Sequence, residues 1–254
     1  MIRGVDAVDL NNPDIRQDLL RRRLAEGDAI VVTRIAREFG VSADTVRRDL
    51  IALEAEGTAR RVRGGAVAPA APMGERLSNG VDHSALARRA AALCEGCDTL
   101  ILDGGTTILA LARLIPPAPG RLIVTPSPWI ASTCAEAGIE VAMPGGRLSP
   151  RGGIVTGMDV EAWLGDVSAD IAFLGACGIE AEFGMSSDDL AEVGVKRAMA
   201  AAARQSVIVA DRSKIGRRAR HRTLRCEAIA RLVTDADRRE TEPFAQTGLE
   251  ILHA

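Results

Sequence analysis

The sequence is poor in aromatic residues, lacks any long apolar run and contains only two lysines. Aromatic residues make up 2% of the 254 residues and Tyr is absent, while the hydrophobic content is 47%. The core must therefore be built from Leu, Ile, Val and Ala. No apolar run is long enough to span a bilayer, and residues 1–10 lack the apolar centre of a signal peptide. These absences predict a globular protein in the cytoplasm.

The cysteine pattern argues against a disulfide framework and against a metal site. The chain has five cysteines, an odd number. Cys94 and Cys97 form a CxxC pair, but neither a second pair nor a pair of histidines stands at zinc-ligand spacing. We therefore interpret these two cysteines as small residues near the end of a helix, and predict neither a metal nor a cofactor.

Charge is unevenly distributed along the chain, whose net charge is −2. Residues 15–65 contain 11 Arg against 8 Asp and Glu, a balance of +3, which leaves −5 for the remainder. A uniformly basic nucleic-acid binder is thus excluded. A mildly basic head on an acidic body is a weak indication of DNA binding.

The basic region has the periodicity of a winged helix-turn-helix. Apolar residues recur at helical spacing over 15–26, 32–39 and the segment that follows Ser42, which is a good N-cap, and Gly57 ends the last helix. A short basic segment, 60–63, then predicts a wing. A small three-helix interaction domain with a solvated arginine face is the alternative. The predicted DNA contacts are Ser42, Thr45, Val46, Arg47 and Arg48 in the third helix and Arg60, Arg61 and Arg63 in the wing.

A change of pattern divides the chain into a DNA-binding domain at 13–67, a linker at 68–82 and a second domain at 83–254. The linker is rich in Pro and Ala and shows no periodicity. After it, short apolar strands alternate with helices, which predicts a mainly parallel α/β fold. Ligands of such folds bind at the carboxyl ends of the strands.

The most informative strand end has the sequence DGGTT, at Asp103–Thr107. Two glycines and two hydroxyl residues between a strand and a helix present backbone N–H groups to an anion. The motif is neither a P-loop nor a dinucleotide fingerprint, since G-x-x-x-x-G-K-[ST] and G-x-G-x-x-G are absent. A plain tight turn between strand and helix is the alternative.

Three further strand ends carry small, hydroxyl or cationic residues, and together they could form one polar pocket. One of them ends in Lys214, a point charge suited to phosphate, although a solvated surface lysine is the alternative. The basic run 217–222 predicts a solvated loop or an additional phosphate contact. The predicted effector contacts are Asp103, Gly104, Gly105, Thr106, Thr107, Thr125, Ser127, Gly145, Gly146, Gly178 and Lys214.

Two sets of motifs resemble the DeoR-type bacterial transcriptional regulators. The first is V-S-x-x-T-V-R-R-D-L, followed by L-E-x-x-G and a wing that ends in G-G-A. The second comprises DGGTT, a later GG, D-x-A-F-L-G-x-x-G, K-R-A-M and D-x-S-K-x-G, at Asp103–Thr107, Gly145-Gly146, Asp170–Gly178, Lys196–Met199 and Asp211–Gly216.

The resemblance implies a winged helix-turn-helix on a sensor domain with a fold like ribose-5-phosphate isomerase. It also implies operator DNA as partner, a phosphorylated sugar as effector and, typically, repression. The family often has Thr-Asn-Ser where this chain has Thr125-Pro126-Ser127. We further expect at least a dimer, because operators are usually two-fold.

The alternative is a sugar-phosphate isomerase that carries a helix-turn-helix head. Such an enzyme needs a base, normally a carboxylate, beside the substrate carbonyl. The strand end Gly175–Gly178 lacks the aspartate expected there. Asp188, Asp189 and Glu192 keep the alternative open, and Cys177 is a candidate nucleophile without a visible histidine partner. We predict that the chain is not an enzyme.

Overall fold

The computed structural model describes residues 10–26, 28–62, 64–69 and 71–254. The chain divides into two compact units, with the division between residues 70 and 71. No helix among these residues is both long enough and apolar enough to cross a membrane.

The first unit is a three-helix bundle with a small sheet. Its elements are α1 (Pro13–Ala25), β1 (Ile30–Val31), α2 (Val32–Phe39), α3 (Ala43–Ala55), β2 (Arg60–Val62) and β3 (Gly65–Val67). Leu20 of α1, Ile35 of α2 and Leu50 of α3 are almost fully buried in one shared cluster. The bundle thus confirms the predicted helix-turn-helix, with Gly40 in the left-handed conformation at the turn between α2 and α3.

A three-stranded antiparallel sheet in the order β1-β3-β2 forms the wing. Gly65 is essential to its packing, since a Cβ atom built there would lie 1.7 Å from the carbonyl oxygen of Ile30. Gly64 has a φ of +83°, which side chains rarely adopt. The glycines of the G-G-A sequence are therefore explained by the tight return of the wing.

The second unit contains the remaining elements. They are α4 (Met73–Ser78), α5 (Ser84–Ala91), β4 (Thr99–Leu102), α6 (Thr106–Ala112), β5 (Leu122–Val124), α7 (Pro128–Glu136), β6 (Glu140–Ala142), β7 (Arg147–Leu148), β8 (Val155–Thr156), α8 (Met158–Gly165), β9 (Ala169–Gly175), β10 (Gly178–Glu180), β11 (Gly184–Ser187), α9 (Leu190–Ala201), β12 (Ala203–Val209), β13 (His221–Leu224), β14 (Arg231–Thr234), α10 (Arg238–Thr241) and β15 (Glu250–His253).

A seven-stranded, wholly parallel sheet in the order β15-β14-β12-β9-β4-β5-β6 forms its centre. Both faces are covered, as parallel sheets require. In β4, Leu100 and Leu102 belong to one buried cluster and Ile101 to the other, because successive side chains of a strand point to opposite faces. The parallel α/β prediction is confirmed, and all seven carboxyl ends lie at one edge.

The structure differs from the predicted linker at its centre. The helix α4 lies within 68–82 and belongs to the second unit, where Met73 is fully buried in a core cluster. Six residues are too few for a periodicity to be visible. Neither α8 nor the antiparallel sheet β10-β11-β13 beside the parallel one was predicted from the sequence.

Candidate functional site

The amino end of α3 presents the predicted DNA-contacting residues. The Ser42 hydroxyl accepts the backbone N–H of Thr45 at 3.0 Å and shares a hydrogen bond of 2.9 Å with the Thr45 hydroxyl. Arg47 is exposed and pairs with Asp44, one turn earlier. Arg48 is exposed and, in the part of the chain that the structure describes, has neither a hydrogen-bond nor an ion-pair partner. Its guanidinium is thus available to a groove.

Val46 was predicted as a DNA contact, and the structure corrects this prediction. The side chain is fully buried in the cluster that joins α3 to α2 and α1. Its place on the apolar stripe of α3, beside Leu50 and Leu53, was visible in the sequence and excludes it from the exposed face.

The three wing arginines have different surroundings. Arg61 is about half exposed, and its Nε donates to a carboxylate oxygen of Glu54 at 2.8 Å. The backbone N–H of Arg61 also donates to Glu54, so the wing is tied to α3. Arg60 is only 8% exposed, which argues against its prediction as a DNA contact. Arg63 lies outside the described residues.

Asp49 joins α3 to α1, a role that is not visible in the sequence pattern. It is buried with Arg16 of α1, and the two form a paired contact of 2.8 and 3.2 Å. Arg16 also donates to the backbone oxygens of Leu10 and Asn11, each at 2.8 Å. The pair fixes α3 against α1 and so sets the direction of Arg47 and Arg48.

In the second unit, Asp103 follows β4 and is fully buried. One of its oxygens, Oδ2, accepts hydrogen bonds from the Lys196 ammonium and from the backbone N–H of Gly175. Lys196 donates further to the Gly175 carbonyl at 2.8 Å. The other oxygen, Oδ1, is buried and has no hydrogen-bond partner among the described residues.

Lys196 belongs to the K-R-A-M motif, and the structure places it beside the DGGTT turn, in contact with Asp103. Burial alone would lower the pKa of Lys196, but the carboxylates of Asp103 and Glu192 raise it above its ordinary value. The lysine therefore remains a buried cation. Only the tertiary structure reveals this, since 93 residues separate it from Asp103.

Glu192 of α9 is a second buried acid near this pair. Burial raises the pKa of its carboxyl, while Lys196 opposes that effect. The Ser149 hydroxyl donates to its Oε1 at 3.2 Å. Burial likewise raises the pKa of the Cys177 thiol, which disfavours the thiolate that a nucleophile requires.

Thr125 and Ser127 follow β5 and are fully buried, with the Ser127 hydroxyl unpartnered among the described residues. The backbone N–H of Val155 donates to the Pro126 carbonyl at 2.7 Å, so the segment that contains β7 and β8 covers this strand end. Gly145 and Gly146 are exposed where that segment begins.

Gly178 was predicted as an effector contact, but the structure shows a packing role. It is buried, and a Cβ atom built on it would lie 2.3 Å from the carbonyl oxygen of Arg217. Only glycine allows the chain after β12 to approach β10 so closely, which explains the glycine in D-x-A-F-L-G-x-x-G.

Lys214 lies at the same sheet edge, after β12. Its ammonium is 3.1 Å from the Ser213 hydroxyl and 3.8 Å from the Asp211 carboxylate. Asp211 and Ser213 line a groove together with His83, whose Nε2 is 3.1 Å from the hydroxyl of Thr106 in the DGGTT turn. No sequence pattern points to His83, which lies at this edge immediately before α5.

Burial lowers the pKa of His83, although Asp211 opposes that effect. The neutral imidazole can accept or donate a single hydrogen bond at Nε2. Across the edge, backbone N–H groups and Lys214 provide donors, and Asp103 and Glu192 provide carboxylate oxygens. Such a mixture suits a ligand with both an anionic group and hydroxyls.

Two family models together match most of the chain. The model of the DeoR-like helix-turn-helix domain matches residues 16–71, and that of the DeoR C-terminal sensor domain matches residues 79–236. A solved structure, ribose 5-phosphate isomerase A of Methanocaldococcus jannaschii, is 16% identical with a TM-score of 0.38 over 52% of each chain.

The alignments with two curated relatives cover most of this chain and most of each relative. The HTH-type transcriptional regulator GlpR of Haloferax volcanii is 32% identical, with 90% of this chain and 93% of the relative covered. The glycerol-3-phosphate regulon repressor of Escherichia coli K12 is 30% identical, with 73% and 76% covered. Because one family model matches the helix-turn-helix domain, another matches the sensor domain and one relative is 32% identical over 90% of the chain, the chain belongs to the DeoR family of transcriptional regulators.

Proposed function

We propose that this regulator is a repressor of carbohydrate metabolism genes, whose affinity for operator DNA is controlled by a phosphorylated sugar or a related metabolite. The observation that carries the proposal is the presence, in one chain, of an exposed arginine-bearing helix and a polar strand-end site. The first unit would bind the operator, and the second would bind the metabolite.

The exposed arginines of α3 support the proposed binding of operator DNA by the first unit. A recognition helix enters the major groove with its amino-terminal half against base edges, where an arginine can bind guanine through two hydrogen bonds. Arg48 is exposed on that half, and Arg47 needs to give up only a surface ion pair with Asp44. Surface pairs of this kind contribute about 0–1 kcal/mol to stability, so replacing the pair of Arg47 and Asp44 by a contact between Arg47 and DNA costs little.

The hydrogen-bond donors and acceptors at the strand ends support a phosphorylated polyol as the ligand of the second unit. Lys214 and the backbone N–H groups of the DGGTT turn would bind the phosphate. The unpartnered Oδ1 of Asp103 and the Ser127 hydroxyl would bind sugar hydroxyls, because a buried polar atom gains most from a partner. The name of the glycerol-3-phosphate regulon repressor is consistent with this chemical class.

A two-fold operator would require at least a dimer of the chain, and a DNA-binding regulator of this class acts in the cytoplasm. We therefore propose that the chain self-associates and that it acts in the cytoplasm. Sedimentation velocity of the purified chain, with and without operator DNA, would test the first directly.

Fluorescence anisotropy on DNA from upstream of the protein's own gene tests the proposal. The panel contains inorganic phosphate, glycerol-3-phosphate and the monophosphates of pentoses, hexoses and hexosamines. We expect tight, salt-sensitive binding that one compound weakens. Tight binding that no compound changes would contradict the effector assignment, and consumption of a sugar phosphate without specific DNA binding would favour an isomerase.

A further inference from the structure

The loop Ser149–Gly153 contacts both Gly104 of the DGGTT turn and α4. On the effector side, a Cβ atom built on Gly104 would lie 3.0 Å from the carbonyl oxygen of Gly152 and 3.2 Å from that of Gly153. The loop is therefore in van der Waals contact with the DGGTT turn. A ligand that reaches the backbone of this turn from that side must displace or reshape the loop.

Glu192 holds the same loop from the opposite helix. The Ser149 hydroxyl donates to its Oε1, and a Cβ atom built on Gly152 would lie only 2.0 Å from that oxygen. Glycine is thus required for the carboxylate to lie against the loop backbone. A phosphate placed beside Gly104 would add a negative charge near this buried carboxylate and would weaken its hold.

The other surface of the loop carries α4. The backbone N–H of Met73 donates to the Pro150 carbonyl at 2.9 Å, and the Arg76 guanidinium donates to the Arg151 carbonyl at 2.6 Å. Met73 is fully buried, with its Cγ 2.8 Å from the position that a Cβ atom on Gly153 would take. Since Gly153 has a φ of +70°, both the conformation and the space at this residue depend on glycine.

We propose that the 149–153 loop transmits occupancy of the effector site to α4, and that α4 transmits it to the DNA-binding unit through the chain that joins them. The proposal deepens the proposed function and rests on it. The helix starts at Met73, directly after the division between the units at residues 70 and 71. A change in the position of α4 therefore acts on the polypeptide that leads to the wing.

This arrangement meets the requirement for a ligand-controlled switch. A ligand shifts an equilibrium only if it binds the two states with different affinity. Asp103 and Ser127 are both fully buried, and the loop lies against Gly104, the residue that follows Asp103. A ligand that enters beside Gly104 to contact these side chains therefore binds only a state in which the loop has moved. The same movement breaks or redirects the two hydrogen bonds to α4.

The test is Arg76→Ala in the full chain, compared with wild type, with Lys214→Ala and with Arg89→Ala, which removes an exposed arginine of α5. Operator affinity is measured by anisotropy and compound binding by calorimetry, with each phosphate compound of the panel described above. We expect Arg76→Ala to bind operator and compound within about threefold of wild type. The compound-induced change in operator affinity, typically about 5–150-fold in allosteric proteins, should fall at least tenfold or disappear.

The outcomes separate this proposal from the proposed function. If Arg76→Ala responds like wild type and Arg89→Ala, the transmission route is overturned while effector control stands. A wild-type chain that ignores every compound overturns both. If Arg76→Ala folds poorly, hydrogen exchange of the wild-type chain tests the transmission route instead. The peptides that contain Met73–Ser78 must change their exchange rate when the active compound binds, and unchanged rates there would overturn the proposal.

Discussion

The carboxylate of Asp49 lies in the middle of the sequence R-R-D-L, yet its partner is in another helix. Its two oxygens bind Arg16 at 2.8 and 3.2 Å, and both side chains are at most 5% exposed. Removing one partner of a buried ion pair leaves an uncompensated charge, which costs about 3–5 kcal/mol. Asp49→Ala should therefore lower the free energy of unfolding of the first unit by about this amount, measured by urea denaturation with far-ultraviolet circular dichroism.

Asp44→Ala on the same helix is the matched control. Asp44 pairs with Arg47 at the surface, where both side chains are more than half exposed. Exposed pairs contribute about 0–1 kcal/mol, so this variant should unfold nearly like wild type. Equal losses in the two variants would contradict the structural role of the buried pair.

Glu192 predicts a pH dependence of stability. Burial raises the pKa of its carboxyl in the folded state above the ordinary value of 4.5, so the folded protein holds this proton more tightly than the unfolded chain. The contribution of Glu192 to the free energy of unfolding is then full below pH 4.5 and falls as the pH rises through the folded-state pKa. Glu192→Gln does not titrate. Its stability relative to wild type should therefore increase between acidic and neutral pH, and a difference that is independent of pH would contradict the assignment.

At the scale of elements, α3 provides the sharpest prediction for DNA recognition. Arg48 is exposed and unpartnered within the described residues, and it lies one residue before the buried Asp49. Arg48→Ala should weaken operator binding by roughly 1–3 kcal/mol if the side chain makes a bidentate base contact. The measurement is a gel-shift titration, with Arg89→Ala in the second unit as the control. Wild-type affinity in Arg48→Ala would remove this residue from the interface.

The elements that periodicity predicts well are those with one clear apolar face. The apolar stripe of Val46, Leu50 and Leu53 indicates α3, and the short apolar runs 99–102 and 122–124 coincide with β4 and β5. These patterns are visible in the sequence because burial of one or both faces of an element requires apolar residues at a fixed spacing. Order of the strands in the sheet is not visible in such patterns.

The elements that were not predicted depend on partners distant in the chain. The helix α4 is stabilised by Pro150 and Arg151, more than seventy residues later, and its own sequence is too short to show a period. The buried pair of Asp103 and Lys196 likewise joins segments 93 residues apart. Residue types at strand ends could predict the candidate site, but not which of its side chains, such as Asp103 and Ser127, would be fully buried.

At the scale of the whole molecule, the two units make different demands on one chain. Under the proposed function, the first presents cations to DNA, whereas the second holds buried carboxylates close to the proposed effector site. The uneven distribution of charge satisfies both, with +3 over residues 15–65 and −5 elsewhere. Operator affinity should consequently decrease with salt in proportion to the phosphates that the first unit neutralises.

The variant Lys214→Ala tests effector binding by the second unit separately from DNA binding by the first. The lysine lies in the second unit after β12, with Ser213 and Asp211 as its close partners, so its loss removes a cation from the proposed effector site alone. We expect operator affinity and its salt dependence to match wild type, while the response to the active phosphate compound is lost. Lys214→Arg keeps the charge but not the compact shape of the ammonium, and should recover only part of the response. A full response in Lys214→Ala would place the phosphate elsewhere along the edge, whereas a reduced salt dependence would place Lys214 on the DNA.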